Sequence, residues 1–247
     1  MSKLDLNKFE AVIFDLDSTL TNTQRYPFVA SEWLLKKTGI ESEELKASFL
    51  RNLFTRYMTS IQSIVEGAPY RSASDIIQTA MINSLEDIEQ PVDLSLVDEA
   101  THRFKTLHLE LSTPRDGAIE MLENLKTREI KLGVLTNSFA GHAKTILTNL
   151  GLVHYFSAIV DCSDVNAFKP MKASFERVLR DLDSEASKAI YVGDEYYADM
   201  VGAKSVGMTT VWINHREGSL EDQVVKYGAF TTPDFVLNSI TEFAELF

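Results

Sequence analysis

Five short apolar, β-rich runs constrain the fold of this chain most. They are 11–15 (AVIFD), 131–136 (KLGVLT), 157–161 (SAIVD), 189–193 (AIYVG) and 209–213 (TTVWI). None alternates apolar with polar residues, as a strand with one wet face would. Near-continuous apolar strands belong to a parallel sheet that helices cover on both faces. Helical spacing fills the gaps: Ile119, Leu122 and Leu125 precede the second run, and Phe175, Val178, Leu179 and Leu182 precede the fourth. Strand and helix alternate, which predicts an open α/β fold with a parallel sheet.

The alternation breaks between residues 22 and 112. Leu45, Phe49, Leu53 and Tyr57 form one stripe at a spacing of four, and Leu50, Phe54, Met58, Ile61 and Val65 an adjoining one. Together they predict a long, broadly apolar helix. Ser72 to Asp75 reads as a helix start, with Ile76, Ile77, Ala80 and Met81 following, and Leu94, Val97, Phe104, Leu107 and Leu111 mark a further helix. The expected organisation is an α/β core of residues 1–21 and 113–247 with an inserted helical cap domain of residues 22–112.

Charge narrows the partners. With 24 Lys+Arg against 36 Asp+Glu, the net charge is −12. That argues against nucleic acid, whose binding needs clustered cations, and against anionic membranes. No apolar run reaches the roughly 18 residues of a membrane span. The N-terminus has no apolar signal core, and Cys162 is the sole cysteine, so neither an internal disulfide nor a cysteine zinc site is expected. A soluble protein of a reducing cytoplasm fits these features.

In an open parallel sheet, ligands bind at the carboxyl ends of the strands. Here those ends carry Asp15 and Asp17, Thr136 and Asn137, and Asp194 with Asp199 five positions on; Lys169-Pro170 lies in the connection leaving the third run. Taken singly, Asp194 reads equally well as a helix cap, Thr136-Asn137 as an ordinary turn, and Lys169 as a solvated side chain. Asp15 and Asp17 are harder to dismiss, because two acids bracketing one Leu at the end of a buried strand repel without structural return. Clustered carboxylates call for a cation, and hard oxygen ligands suit magnesium. Asp15 then suits nucleophilic attack on phosphorus, Asp17 general acid–base catalysis, and Thr136, Asn137 and Lys169 the binding of phosphoryl oxygens.

These residues resemble the motifs of the haloacid dehalogenase-like hydrolases. The first stands as Val12-Ile-Phe-Asp15-Leu-Asp17-Ser-Thr19, the second as Gly133-Val-Leu-Thr136, the third as Phe168-Lys169-Pro170 and the fourth as Gly193-Asp194-Glu-Tyr-Tyr-Ala-Asp199. The resemblance implies a Rossmann-like core with a helical cap. It implies Asp15 as the nucleophile of an aspartyl-phosphate and Asp17 as the acid/base, with its backbone carbonyl on Mg2+. It further implies Thr136, Asn137 and Lys169 as phosphoryl-binding groups, Asp15 and Asp194 as metal ligands, and Asp199 as their outer partner. Ser18, where many relatives have Gly, and Thr113-Pro-Arg-Asp-Gly117, in place of Pro-x-Pro-Gly, depart from the pattern.

The leading expectation is a magnesium-dependent phosphatase of a small phosphorylated metabolite. A haloacid dehalogenase is the runner-up, disfavoured because halide leaves without a proton whereas this chain keeps Asp17 and both acids of the fourth motif. A phosphomutase and a non-catalytic binding protein on the same fold stay open. Arg25, Tyr26 and Arg71 are candidate substrate contacts that read more simply as surface or packing residues. His102 and His108 read as edge histidines rather than acid/base groups, and Tyr196 and Tyr197 as residues bordering or underlying the site.

Overall fold

The computed structural model describes residues 4–23, 25–216 and 218–247. In chain order, the elements are β1 (Ala11–Phe14), a two-residue β2 (Thr21–Asn22), α1 (Tyr26–Lys37), α2 (Glu43–Val65), α3 (Ala73–Asp87) and α4 (Leu94–Leu111). Then come β3 (Thr113–Pro114), α5 (Ala118–Thr127), β4 (Lys131–Thr136), α6 (His142–Asn149), β5 (Ala158–Asp161) and α7 (Lys172–Asp181). The chain ends with β6 (Ala189–Gly193), α8 (Gly202–Val206), β7 (Thr209–Ile213), α9 (Leu220–Tyr227), β8 (Phe235–Leu237) and α10 (Ile240–Ala244). Contacts divide the chain into two compact units, Met1–Asn22 with Thr113–Phe247, and Thr23–Ser112.

The first unit is an α/β fold. Among the described residues its main sheet has six strands in the order β5-β4-β1-β6-β7-β8, and every pairing is parallel. All four residues of β1 are wholly buried because alternate side chains enter opposite helical layers. Ala11 and Ile13 join Phe175 and Val178 of α7 and Tyr191 of β6, while Phe14 meets Phe243 of α10 edge to face, with centroids 6.1 Å apart. This is the physical source of the unbroken apolar runs. The sixth strand, β8, escapes a reading by apolar runs: it has three residues on an edge, and Val236 is exposed. A second, antiparallel pair joins β2 to β3.

The second unit, Thr23–Ser112, contains α1–α4 and, among its described residues, no strand. Ser42 caps α2 by accepting from Leu45 N, Ser72 caps α3 by accepting from Asp75 N, and Asp93 caps α4 by accepting from Ser95 N. Phe49, Leu53, Ile61 and Ile64 are the buried face of α2. The adjoining stripe is covered only in part: Ile61 is buried, whereas Phe54 is 67% exposed. α1 has no capping side chain and starts on a proline within its first turn. Tyr26 at its start packs against Phe104 and His108 of α4.

Candidate active site

Strand register brings the acids together. β1 pairs in parallel with β4 on one side and β6 on the other, with Phe14 opposite both Val134 and Val192. Asp15 extends β1 by one residue, and its N–H donates to Val192 O at 2.9 Å. Thr136 and Asp194 therefore lie one step further along the flanking strands. Asp15, Thr136 and Asp194 are all buried, at 6%, 1% and 8% exposure.

Lys169 ties the cluster. Its ammonium donates to Asp15 Oδ1 at 2.6 Å, Asp199 Oδ1 at 2.7 Å and the Tyr191 hydroxyl at 3.0 Å. Three hydrogens meet three acceptors, so the lysine is a fixed tripod, and the other Asp15 oxygen, Oδ2, is left outside it. Asn137 braces the lysine from behind. Its Oδ1 accepts from Lys169 N at 2.8 Å and its Nδ2 donates to Lys169 O at 3.2 Å. The expected phosphoryl donor is thus committed on both side-chain atoms to the Lys169 backbone, leaving one amide hydrogen and its main-chain N–H for a ligand.

Asp199 lies in a π-helical turn, Tyr196–Val201, and is wholly buried. Its Oδ1 also contacts the Tyr191 hydroxyl at 3.1 Å, and its Oδ2 accepts from Glu195 N at 2.9 Å. Gly193 makes room for it: a Cβ there would collide with the Asp199 carboxylate. Asp194 is held differently. Its Oδ1 accepts from Thr19 Oγ1 at 3.3 Å, and its backbone carbonyl accepts from Trp212 Nε1 at 3.0 Å. Arg216 Nη2 approaches Oδ2 at 3.0 Å, but that oxygen accepts no aligned hydrogen bond.

The electrostatics follow from crowding. Burial pushes the Asp15 carboxyl well above the usual carboxylate range; Lys169 opposes this, and Asp199, Asp194 and Asp17 reinforce it. Burial and then Asp199 push Asp194 up to about 7. Burial pulls the Lys169 ammonium down, but Asp15 and Asp199 outweigh it and hold the lysine charged. The buried acids thus lack positive charge. Asp15, Asp194 and Asp199 each offer an oxygen within 4.8 Å of the others. An all-carboxylate set with no imidazole or thiolate fits a hard divalent cation such as magnesium. Because donors already engage both Asp199 oxygens, Asp15 and Asp194 are the carboxylates better placed to ligate directly.

Asp17 is half-buried, two residues past Asp15, and stands outside that three-carboxylate cluster. Ser18 beside it has φ +66°, a left-handed backbone that glycine adopts more readily. Of the remaining candidates, Arg25 and Tyr26 lie at the start of α1, and Arg71 donates to Thr79 Oγ1 and Asp75 O within its own unit. His102 is exposed and His108 wholly buried. Tyr196 packs edge to face on Trp212, and Tyr197 stacks on Tyr227. Sequence reasoning missed Tyr191 and Thr19. The first looks like one more core residue of a buried strand, and no spacing marks it; the second is the last residue of the first motif, and no spacing of its own marks it.

Known proteins resemble this chain over most of its length. The family model described as "Haloacid dehalogenase-like hydrolase" matches residues 12–213. A glyceraldehyde 3-phosphate phosphatase of Methanothermobacter thermautotrophicus is 25% identical over 96% of this chain and 99% of its own. An (S)-2-haloacid dehalogenase of Pseudomonas sp. is 22% identical over 98% and 96%. Among solved structures, the hydrolase YfnB of Bacillus subtilis, bound to magnesium, aligns over 96% of this chain and 98% of its own with a TM-score of 0.77 at 21% identity. Overall similarity does not separate phosphatase from dehalogenase; the site has to.

Proposed function

This chain belongs to the haloacid dehalogenase-like hydrolase family, and we propose that within it the protein is a magnesium-dependent phosphatase of small phosphorylated metabolites. The observation that carries this reading is the buried set of Asp15, Asp194 and Asp199 around the Lys169 ammonium, with a further acid, Asp17, beside it. Bound magnesium would neutralise the carboxylates and the phosphoryl oxygens. Asp15 and Asp194 would hold it, with the Asp17 carbonyl as a further ligand and Asp199 as an outer partner.

The chain's own groups do the rest. Lys169 steadies the Asp15 carboxylate, one oxygen of which is the attacking atom. That oxygen bonds to phosphorus as the ester P–O bond breaks, and the Asp17 carboxyl passes its proton to the departing alkoxide. Thr136 and the remaining donors of Asn137 bind the transferring oxygens. The Asp17 carboxylate then takes a proton from water, whose oxygen displaces Asp15 from phosphorus and releases phosphate. Tyr191 keeps Lys169 and Asp199 in register. A halide would leave without a proton, so a dehalogenase has no use for Asp17. The Thr23–Ser112 unit is assigned the role of a cap that selects the substrate, and the cytoplasm is the proposed compartment; no described helix is long and apolar enough to cross a membrane.

The test is phosphate release from an aryl phosphate with and without magnesium. Turnover should require the metal and should fall at least about 10³-fold in Asp15→Asn, whose amide cannot attack phosphorus. Halide release from a 2-haloacid without magnesium, in place of phosphate release, would replace the phosphatase with the dehalogenase.

A further inference from the structure

We infer that Arg115 and Arg216 form a second anion subsite beside the carboxylate cluster, so that the substrate class is a phosphate monoester carrying a further carboxylate or phosphate close to the ester. This rests on the phosphatase reading above.

Both arginines are held by the backbone of the core unit. Arg115 follows β3, and its N–H donates to Leu20 O at 2.9 Å, pinning it to the loop that carries Asp15 and Asp17. Its Nε is buried and makes no hydrogen bond. Arg216 lies just past β7, in a loop closed by Asn214: Nδ2 donates to Gly218 O and Oδ1 accepts from Gly218 N, each at 2.8 Å. The Arg216 guanidinium stands 3.0 Å from Asp194 Oδ2 while its side chain is 62% exposed, so it reaches from solvent to the edge of the cluster. The two arginines repel each other, and Asp194 and Asp116 are the acids that offset them at Arg115.

Arg216 meets Asp194 directly, and Arg115 is pinned to Leu20, next to the Thr19 whose hydroxyl donates to the same carboxylate, so two guanidinium side chains are rooted around one acid. Once Asp194 ligates a cation, less of its charge serves Arg216. The exposed fork of Arg216 is then available one carboxylate away from the attacking Asp15, and the buried Arg115 Nε is a further donor without a hydrogen bond. The planar fork of arginine matches carboxylate and phosphate oxygens. A purely structural role, balancing the acids, would treat all phosphate esters alike.

The experiment measures kcat/KM of the magnesium-loaded protein on propyl phosphate, 3-phosphooxypropionate and 1,3-propanediol bisphosphate. An aryl phosphate serves as a separate check of phosphatase activity. The wild type should prefer the esters bearing a second anion. In Arg216→Ala and Arg115→Met that preference ratio should fall roughly tenfold to a hundredfold, the worth of one charged hydrogen bond. Arg216→Lys should restore only part of it. Calorimetry reads the subsite without turnover: 3-phosphonopropionate should bind the wild type more tightly than propylphosphonate does, and Arg216→Ala should erase the difference. Absence of turnover on every ester would remove the phosphatase reading, and calorimetry would still decide the subsite. No preference in the wild type by either measure, or equal losses on charged and uncharged esters, would overturn it. A preference for only one of the two anions would support the subsite and name its ligand.

Discussion

Asp15 and Asp161 occupy the same kind of place, the carboxyl end of a buried parallel strand, and are held in opposite ways. Asp161 is satisfied by neutral donors. Its Oδ1 accepts from Ser163 N and Oγ, and its Oδ2 accepts from Gly141 N at 2.7 Å, so it closes the turns after β4 and β5. Asp15 instead has an ammonium on one oxygen and faces three other acids. Its charge is not settled by the fold. A strand-end acid saturated by backbone N–H groups is architecture, whereas one left short of partners in a buried crowd is poised to take a cation and a substrate.

The largest effect that sharpens this contrast is at Asp17. Asp17→Asn should slow alkyl phosphates by about 10²–10⁴-fold and an activated aryl phosphate much less, because only the alkoxide needs the proton. Equal losses on both esters, in steady-state kinetics, would return Asp17 to the architectural class.

Asp194 comes next. Its folded pKa, about 7, lies above the ordinary 3.8. The metal-free folded chain therefore holds this proton more tightly than the unfolded chain. The stability this confers is complete below about pH 4 and lost as pH rises through about 7. Metal-free protein should thus melt lower at pH 8 than at pH 6, as far as this group decides, and magnesium should raise the melting temperature more at pH 8. Asp194→Asn should melt higher than the metal-free wild type at pH 8 and lose the magnesium response. A magnesium shift equal at both pH values, measured by calorimetry, breaks the comparison at this residue.

Asp161→Ala should do the reverse of an active-site change: lower stability by about 1–3 kcal/mol in urea unfolding by orphaning its donors, with far less effect on turnover than Asp17→Asn. Smallest is Ser18→Gly. Relieving the left-handed backbone at φ +66° should stabilise the chain by about 1 kcal/mol, read from the same unfolding midpoint.

The parts of the fold legible in the sequence are those where burial on both faces writes an unbroken apolar run, as in β1, β4, β6 and β7. β8 and the β2–β3 pair are not legible, because a three-residue edge strand and two-residue strands leave no run to read. α1 is not legible as a separate helix, since it lacks a capping side chain and a strong apolar stripe. The two stripes of α2 mark the helix but not which of its residues are covered, as the exposed Phe54 shows. In the site, Asp15, Lys169, Asp194 and Asp199 stood out by motif, and the structure brings them together. What the sequence hid is the division of labour: Tyr191 as the third leg under Lys169, and Asn137 spent on the lysine backbone. Those depend on contacts across 22 and 32 positions of chain that no local pattern records.

The central claim is that Asp15 takes the phosphoryl group onto its own side chain. Acid quenching of the Asp17→Asn protein soon after mixing with magnesium and an aryl phosphate, followed by peptide mass spectrometry, tests it directly. The account predicts one phosphoryl group on the peptide containing Asp15, accumulating because the variant is slow to activate water. Phosphate release with the label on another residue, or undiminished turnover in Asp15→Asn, would contradict it.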